Sequence, residues 1–384
     1  MKKLVILVTV PVVLETWLKG QPKFLSQYYE VEIITSYSDK IKNIEKYENV
    51  NIKVVEFNRK INIFKDLKVL VQLFFYFLKT KPSVVYTLTP KAGLLGMIAA
   101  FATRVPYRIH NIVGLPHLEA TGGKRLILET TEKITYCFSN NLFCNSLNLK
   151  EIVSSMTTKN VKVIGNGSVN GVDVEYFKDI LSKEEKDKII KNLNLTNNDF
   201  IITFVGRIVN DKGINELVNT FEKLNLKYDF VKLLLIGDYK NENDAISYKS
   251  QQIIKNNNSI RYLEFQDDIR NYLSITNLFV LPSYREGLPN VLIEAGSYGI
   301  PLLATNINGC NEVIIHKLNG LLVNKKDEVD LFNAIEKFIK DKYFYNTVKD
   351  NVRKNIVNRY SQDYFYKELL KELNKITESE KWNY

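Results

Sequence analysis

Apolar residues fall into short runs along this chain, and the intervals between the runs suggest its architecture. In the first half such runs recur at Lys3–Val10, Val31–Ser36, Asn51–Phe57, Ser83–Leu88, Tyr107–Val113, Asn141–Asn145 and Val161–Ile164. Between them lie longer segments with apolar residues every three or four positions, notably Phe64–Lys79, Ala92–Thr103 and Lys124–Phe138. The short runs predict strands buried on both faces, and the longer segments predict helices. Their alternation predicts a parallel sheet covered by helices on both sides. A Lys/Glu-rich helical stretch, Ser182 to Leu195, then leads into further strands at Phe200–Val205, Lys232–Ile236, Ile260–Phe265, Leu278–Leu281 and Pro301–Thr305.

The pattern therefore predicts an α/β chain of two doubly wound, Rossmann-like domains, residues 1–168 and 169–360. A terminal helical segment, 361–384, carries Leu369, Leu370 and Leu373 on one face. A length of 384 residues suits two domains better than a single core.

Two segments admit two readings each. The start, Met-Lys-Lys followed by Leu4 to Leu14, imitates a signal peptide, but Glu15-Thr16-Trp17-Leu18-Lys19 offers no small-residue cleavage site, and a buried first strand is the expectation. The stretch Asp66 to Lys81 holds Leu67, Val69, Leu70, Leu73, Phe74, Phe75, Phe77 and Leu78 with lysines at both ends. It reads as a crossover helix against the sheet or as an amphipathic helix in a membrane interface, and the two are compatible if one edge is exposed.

Composition narrows the class. Hydrophobic residues at 45% and charged residues at 25% describe a globular protein, not a disordered one. Cys137, Cys144 and Cys310 are too few and too scattered for a disulfide framework or a metal site, and read as reduced cytosolic thiols. No run reaches the ~18–20 apolar residues that a bilayer span needs. The net charge of +10 is unevenly placed, since residues 1–165 hold 23 Lys/Arg against 12 Asp/Glu, and the remainder holds 30 against 31. A basic first half calls for an anionic partner. No helix-turn-helix, RNA-recognition or zinc pattern supports nucleic acid, so an anionic membrane surface is the expectation.

The candidate chemistry is concentrated in the second half. Pro282 to Ala295 follows an apolar run and enters a helical pattern with Pro289 near the first turn, which puts Glu286 on a strand-to-helix loop and Glu294 inside the helix. Such loops bind ligands in open α/β sheets, because strand ends and free helix N–H groups face one crevice. Two carboxylates there, with Gly287 permitting close backbone approach, suit a ligand bearing hydroxyls and phosphate; the plainer reading is a pair of helix acids placed by the macrodipole. Phe204 to Ile214, Phe-Val-Gly-Arg-Ile-Val-Asn-Asp-Lys-Gly-Ile, also ends a strand and opens a helix. Arg207 and Lys212 thus flank a helix N-terminus, a suitable place for a diphosphate. The glycine-rich Gly165 to Asp173 lacks dinucleotide spacing and reads as a turn-rich exit from the first domain. His110, at a strand end, reads as either a structural or a catalytic residue.

The order Arg-Glu-Gly-Leu-Pro-Asn-Val-Leu-Ile-Glu-Ala, 285–295, resembles the Glu-x7-Glu signature of retaining glycosyltransferases of family 4, which implies the GT-B fold, two Rossmann-like domains facing a cleft; Gly206-Arg207 and Lys212-Gly213 resemble the accompanying basic element. Thr87 to Met97 and Gly114-Leu115-Pro116 are similar to the first domains of bacterial capsule, O-antigen and lipid-linked-oligosaccharide transferases. This resemblance implies a nucleotide-sugar donor, a UDP-N-acetylhexosamine or UDP-galactose, held by Arg207, Lys212, Glu294, Gly287, Leu288, Pro289, Asn290 and the nucleobase segment ending at Ile269. It implies Glu286 on the sugar hydroxyls, His110 facing the donor, retention of configuration, and a terminal helix crossing back to the first domain. The expected acceptor is a polyprenyl-diphosphate-linked saccharide, with the chain peripheral on the cytoplasmic face of the membrane. No Asp-x-Asp element is present, so catalysis without a metal or other cofactor is expected. A GT-B nucleotide-sugar epimerase and a catalytically silent nucleotide-sugar-binding partner remain as alternatives.

Overall fold

A computed structural model describes residues 1–58, 62–239 and 244–378. The chain divides into two compact units, Met1–Gly171 with the segment from Gln362 onward, and Val172–Ser361. The first is built on seven strands, β1 (Lys3–Leu7), β2 (Glu30–Thr35), β3 (Asn51–Val54), β4 (Val84–Thr87), β5 (Tyr107–Ile112), β6 (Asn141–Cys144) and β7 (Val161–Val163). Their spatial order is β3-β2-β1-β4-β5-β6-β7, with every neighbouring pair parallel. The apolar start of the chain is thus a central strand, in which Leu4 to Leu7 are fully buried.

The second unit holds β8 (Phe200–Val205), β9 (Val231–Ile236), β10 (Ile260–Leu263), β11 (Leu278–Leu281), β12 (Leu302–Thr305) and β13 (Gly320–Val323). They lie in the order β10-β9-β8-β11-β12-β13, again all parallel. Strand β13 has no counterpart in the sequence reading. It opens on a glycine between Asn319 and Asn324, a composition that reads as a turn, and it forms only by pairing with β12. Several other strands stop short of their apolar runs. Val55 and Phe57 follow β3 and remain buried, because the core continues past the end of the hydrogen-bonded ladder.

In each sheet one central strand sends its successors in opposite directions. β1 lies between β2 and β4, and β8 lies between β9 and β11. The loops leaving β8 and β11 therefore start side by side at the carboxyl edge, which is where doubly wound sheets hold ligands.

The helix Gln362–Glu378 packs in the first unit, although 190 residues of the second precede it. Phe365, Leu369 and Leu373 are buried among Leu4, Ile6, Leu14, Leu18 and Leu25, and Tyr366 stacks on Phe24 at 4.6 Å between ring centroids. Leu369 is fully buried, so Leu369→Ala removes apolar contacts and leaves a cavity. A loss of about 2–5 kcal/mol is expected in urea denaturation followed by circular dichroism. An unchanged midpoint would mean that the helix is not part of the first unit's core.

Candidate active site

The switch point between β8 and β11 brings two loops into direct contact. Residues 206–213 leave β8 and enter the helix Ile214–Lys227; residues 282–289 leave β11 and enter the helix Asn290–Ser297. Lys212 Nζ donates to Glu286 Oε1 at 2.7 Å, with both side chains largely buried. Ser283 Oγ donates to the same oxygen at 2.7 Å. Backbone contacts fix the pairing, since Tyr284 N–H donates to the Asp211 carbonyl at 2.8 Å, and the Thr305 hydroxyl donates to the Ser283 carbonyl.

Asp211 sits among three cations. Arg285 Nε and Nη2 donate to its Oδ2 at 3.0 and 2.8 Å, and Arg207 Nη2 is 3.9 Å away. Burial opposes ionisation of Asp211, but Arg285, Lys212 and Arg207 outweigh it and hold the carboxyl below its usual range. Asp211 and Arg285 were not singled out in the sequence. The adjacent Asn-Asp-Lys-Gly and Tyr-Arg-Glu-Gly segments were visible, but their partnership depends on the order of the strands.

Gly213 allows the two loops to approach this closely, and Gly309 lets the turn after β12 close on the loop after β11. A Cβ on Gly213 (φ +70°) would lie 2.0 Å from the Pro282 carbonyl oxygen, and one on Gly309 (φ +79°) would lie 1.7 Å from that of Gly287. Gly287 is exposed, whereas Leu288 and Pro289 are buried and anchor the loop to the core; Asn290 begins the helix. Cys310 is fully buried just beyond Gly309, and burial, reinforced by the Glu286 charge, holds its thiol protonated. Ile269 caps the short helix Arg270–Leu273 and packs on the core; Phe265 is exposed, and its N–H donates to Asp238 Oδ1 at 2.9 Å.

The structure thus joins Lys212, Glu286 and, through Asp211, Arg207. Glu294 is not part of that network. It lies half-buried in the helix after the loop, its carboxylate takes no hydrogen bond from the described residues, and burial pushes its pKa up to about 7. His110 belongs to the first unit, where it is 2% exposed and lies inside β5, two residues before the strand's end and not at it as the sequence suggested. Its Nδ1 lies 2.8 Å from Thr87 Oγ1, Gly93 packs against its ring, and burial pushes its pKa down to about 4. The ring is therefore uncharged at neutral pH, and its surroundings are those of an interior packing residue. At the first unit's own switch point the hydroxyls of Thr9 and Thr89 are 2.6 Å apart, and Thr89 holds a φ of +65°, unusual for a β-branched residue.

Two doubly wound parallel domains in succession, the second with a cationic and acidic cluster at its switch point, define a glycosyltransferase of the GT-B class. Residues 185–355 match the family described as glycosyl transferases group 1. The chain is 35% identical over 356 residues to the capsular polysaccharide biosynthesis glycosyltransferase CapM of Staphylococcus aureus, covering 92% of each. It is 32% identical over 310 residues to the UDP-Gal:alpha-D-GlcNAc-diphosphoundecaprenol alpha-1,3-galactosyltransferase of Escherichia coli, covering 79% of this chain and 78% of the relative. In fold it is similar to Anabaena HepE, solved in complex with UDP-glucose, with a TM-score of 0.79, 18% identity and coverage of 98% and 100%. The protein belongs to the group 1 glycosyl transferases and is an enzyme of that kind.

Two expectations follow from this geometry. Gly309→Ala forces a side chain into a positive-φ position against the Gly287 carbonyl, and should cost more than about 1 kcal/mol. For a domain of this size that is a fall of at least about 2–4 °C in Tm, read by calorimetry. An unchanged Tm would show that the turn at Gly309 does not press on the loop at Gly287. Glu294 gives a pH dependence. Its pKa is raised, so the carboxyl is protonated below about 7 and ionised above. A ligand hydroxyl donating to it favours the ionised form, so nucleotide affinity should rise with pH up to about 7 and then level off. Calorimetric titration at acidic pH should show proton release in the wild type and none in Glu294→Gln; equal release in both would remove Glu294 from the site.

Proposed function

We propose that the chain transfers a sugar from a UDP-sugar to a polyprenyl-diphosphate-linked saccharide with retention of configuration. The observation that carries this reading is the Lys212–Glu286 contact at the switch point, because each partner keeps bonding capacity for a different part of such a donor. An ammonium has three N–H donors and Lys212 gives one to Glu286, leaving two for phosphate oxygens. Glu286 Oε1 accepts from Lys212 and Ser283, while Oε2 takes no hydrogen bond from the described residues and is available to sugar hydroxyls.

Arg207, 49% exposed, adds a planar guanidinium able to bind two oxygens of a diphosphate. These two cations neutralise the charge that grows on the departing diphosphate as the anomeric carbon gains oxocarbenium character. Fixed charges of this kind are commonly the largest catalytic term. They supply the countercharge without a metal. Glu294 receives the ribose hydroxyls, Gly287 and Asn290 present backbone to the donor, Leu288 and Pro289 shape that loop from beneath, and the segment ending at Ile269 flanks the nucleobase. Glu286 holds and orients the sugar ring and is not assigned as a nucleophile. His110, in the first unit, is kept as a candidate catalytic residue.

The uridine nucleotide and the polyprenyl-diphosphate acceptor are supported by the Escherichia coli relative, whose name specifies UDP-Gal and a diphosphoundecaprenol-linked sugar. Assembly of a surface polysaccharide is supported by the capsular relative from Staphylococcus aureus. A lipid-linked acceptor puts the work at an anionic membrane surface, with the chain peripheral on its cytoplasmic face.

Protection against thermal unfolding tests the donor. A ligand that binds only the folded state stabilises by about 2.7 kcal/mol at one hundred times its dissociation constant. UDP and one UDP-sugar are expected to raise Tm, and Arg207→Ala is expected to abolish the rise. In the same set, Glu286→Ala should remain folded and lose transfer; a folded variant turning over at the wild-type rate overturns the assignment of Glu286.

A further inference from the structure

The helix Ile63–Thr80 carries more apolar surface than its place in the sheet uses. One side, Val69, Leu73 and Phe77, is buried in the first unit's core. Asn62 caps its start by accepting from the Lys65 N–H, and Asp66 in the first turn pairs with Lys91 at 2.8 Å. That much describes an ordinary crossover helix, which needs one apolar face.

A second apolar face looks outward. Phe64 is 87% exposed, Leu67 56%, Val71 45%, Phe75 64% and Leu78 45%. At about 100° per residue these five fall within an arc of about 80°, nearly opposite the buried one. Ile63 borders the arc and is also exposed. Exposed Lys65, Lys68, Gln72 and Lys79 fill one flank between the two apolar arcs. Contiguous exposed apolar surface of this kind marks an interaction face. Its bordering row of lysines, in a half of the chain where 23 basic residues stand against 12 acidic ones, selects an anionic partner. Among the described residues no helix is long and apolar enough to cross a membrane. Leu126 and Ile127, following Lys124 and Arg125 in the helix Gly122–Phe138, repeat the combination in the same unit.

We infer that the outward face of Ile63–Thr80 docks on an anionic lipid bilayer, with the aromatic and aliphatic stripe in the headgroup boundary and the lysines on lipid phosphates. Its purpose rests on the lipid-linked acceptor reading above, while the surface itself is argued from the helix alone. The two faces divide the labour, one holding the helix to the protein and the other to the membrane.

The test is flotation of the full chain with phosphatidylcholine vesicles, with and without phosphatidylglycerol. Binding to the anionic vesicles is expected to be at least about tenfold tighter and to weaken with salt. Leu67→Asp/Phe75→Asp, both at exposed positions, should keep the wild-type Tm and lose at least about tenfold in binding. Lys65→Glu/Lys68→Glu/Lys79→Glu should lose the preference for phosphatidylglycerol. The surface is overturned if the stripe variant floats like the wild type, or if the two vesicle types are bound equally. It is equally overturned if light scattering finds a dimer that the stripe variant splits while no vesicle is bound, since the face is then covered by a second copy. Turnover of a water-soluble acceptor analogue separates this surface from the transfer reading. A chain that floats but moves no sugar supports the surface and counts against the reaction; a stripe variant that transfers to that analogue at the wild-type rate but does not float supports both.

Discussion

The second domain's site depends on one ion pair between two loops that are far apart in sequence. Lys212 and Glu286 are separated by 74 residues, yet they meet because β8 lies between β9 and β11 in the sheet. A partly buried carboxylate or ammonium without a partner would be costly, and each removes that cost for the other. The pair also sets the shape of what surrounds it. With Glu286 held by Lys212 and Ser283, Arg285 turns to Asp211, and Asp211 in turn faces Arg207. Three basic side chains thus converge on two acids.

Most of the framework was legible because burial on both faces leaves an unmistakable mark. Phe200–Val205 and Leu278–Leu281 were bounded as observed, since polar residues stop each run where the ladder stops. β13 was not legible, because Gly-Leu-Leu-Val between asparagines is too short to carry a period and owes its form to β12. The site was half legible. Arg207, Lys212 and Glu286 stood out by residue type at strand-to-helix loops and Glu294 in the helix that follows, whereas Asp211 acquires its partners only from neighbours that the fold supplies. His110 shows the opposite difficulty, because the sequence says nothing of its packing, and its contacts with Thr87 and Gly93 come only from the fold.

The first domain is completed by a segment that sequence order would assign elsewhere. The helix Gln362–Glu378 contributes Phe365, Leu369 and Leu373 to a core whose other members come from the first strands. Its amphipathic pattern was plain, but a pattern states only that a face is buried and not against what. The same ambiguity applies to Ile63–Thr80, where counting apolar residues cannot distinguish a helix wrapped on all sides from one with two separate faces. Fractional exposure of Phe64 and Phe75 against Leu73 and Phe77 resolves it.

The close approaches at Gly213 and Gly309 carry an evolutionary consequence. The contacts that set the spacing of the loops after β8, β11 and β12 are made with carbonyl oxygens of Pro282 and Gly287, atoms that every amino acid possesses. Mutation cannot alter them except by adding bulk at the glycines. Selection can therefore change the side chains around the crevice, and with them the sugar or acceptor preferred, while the distance between the loops stays constant. A lineage built on such a frame can diversify its chemistry at the rim without renegotiating its foundations.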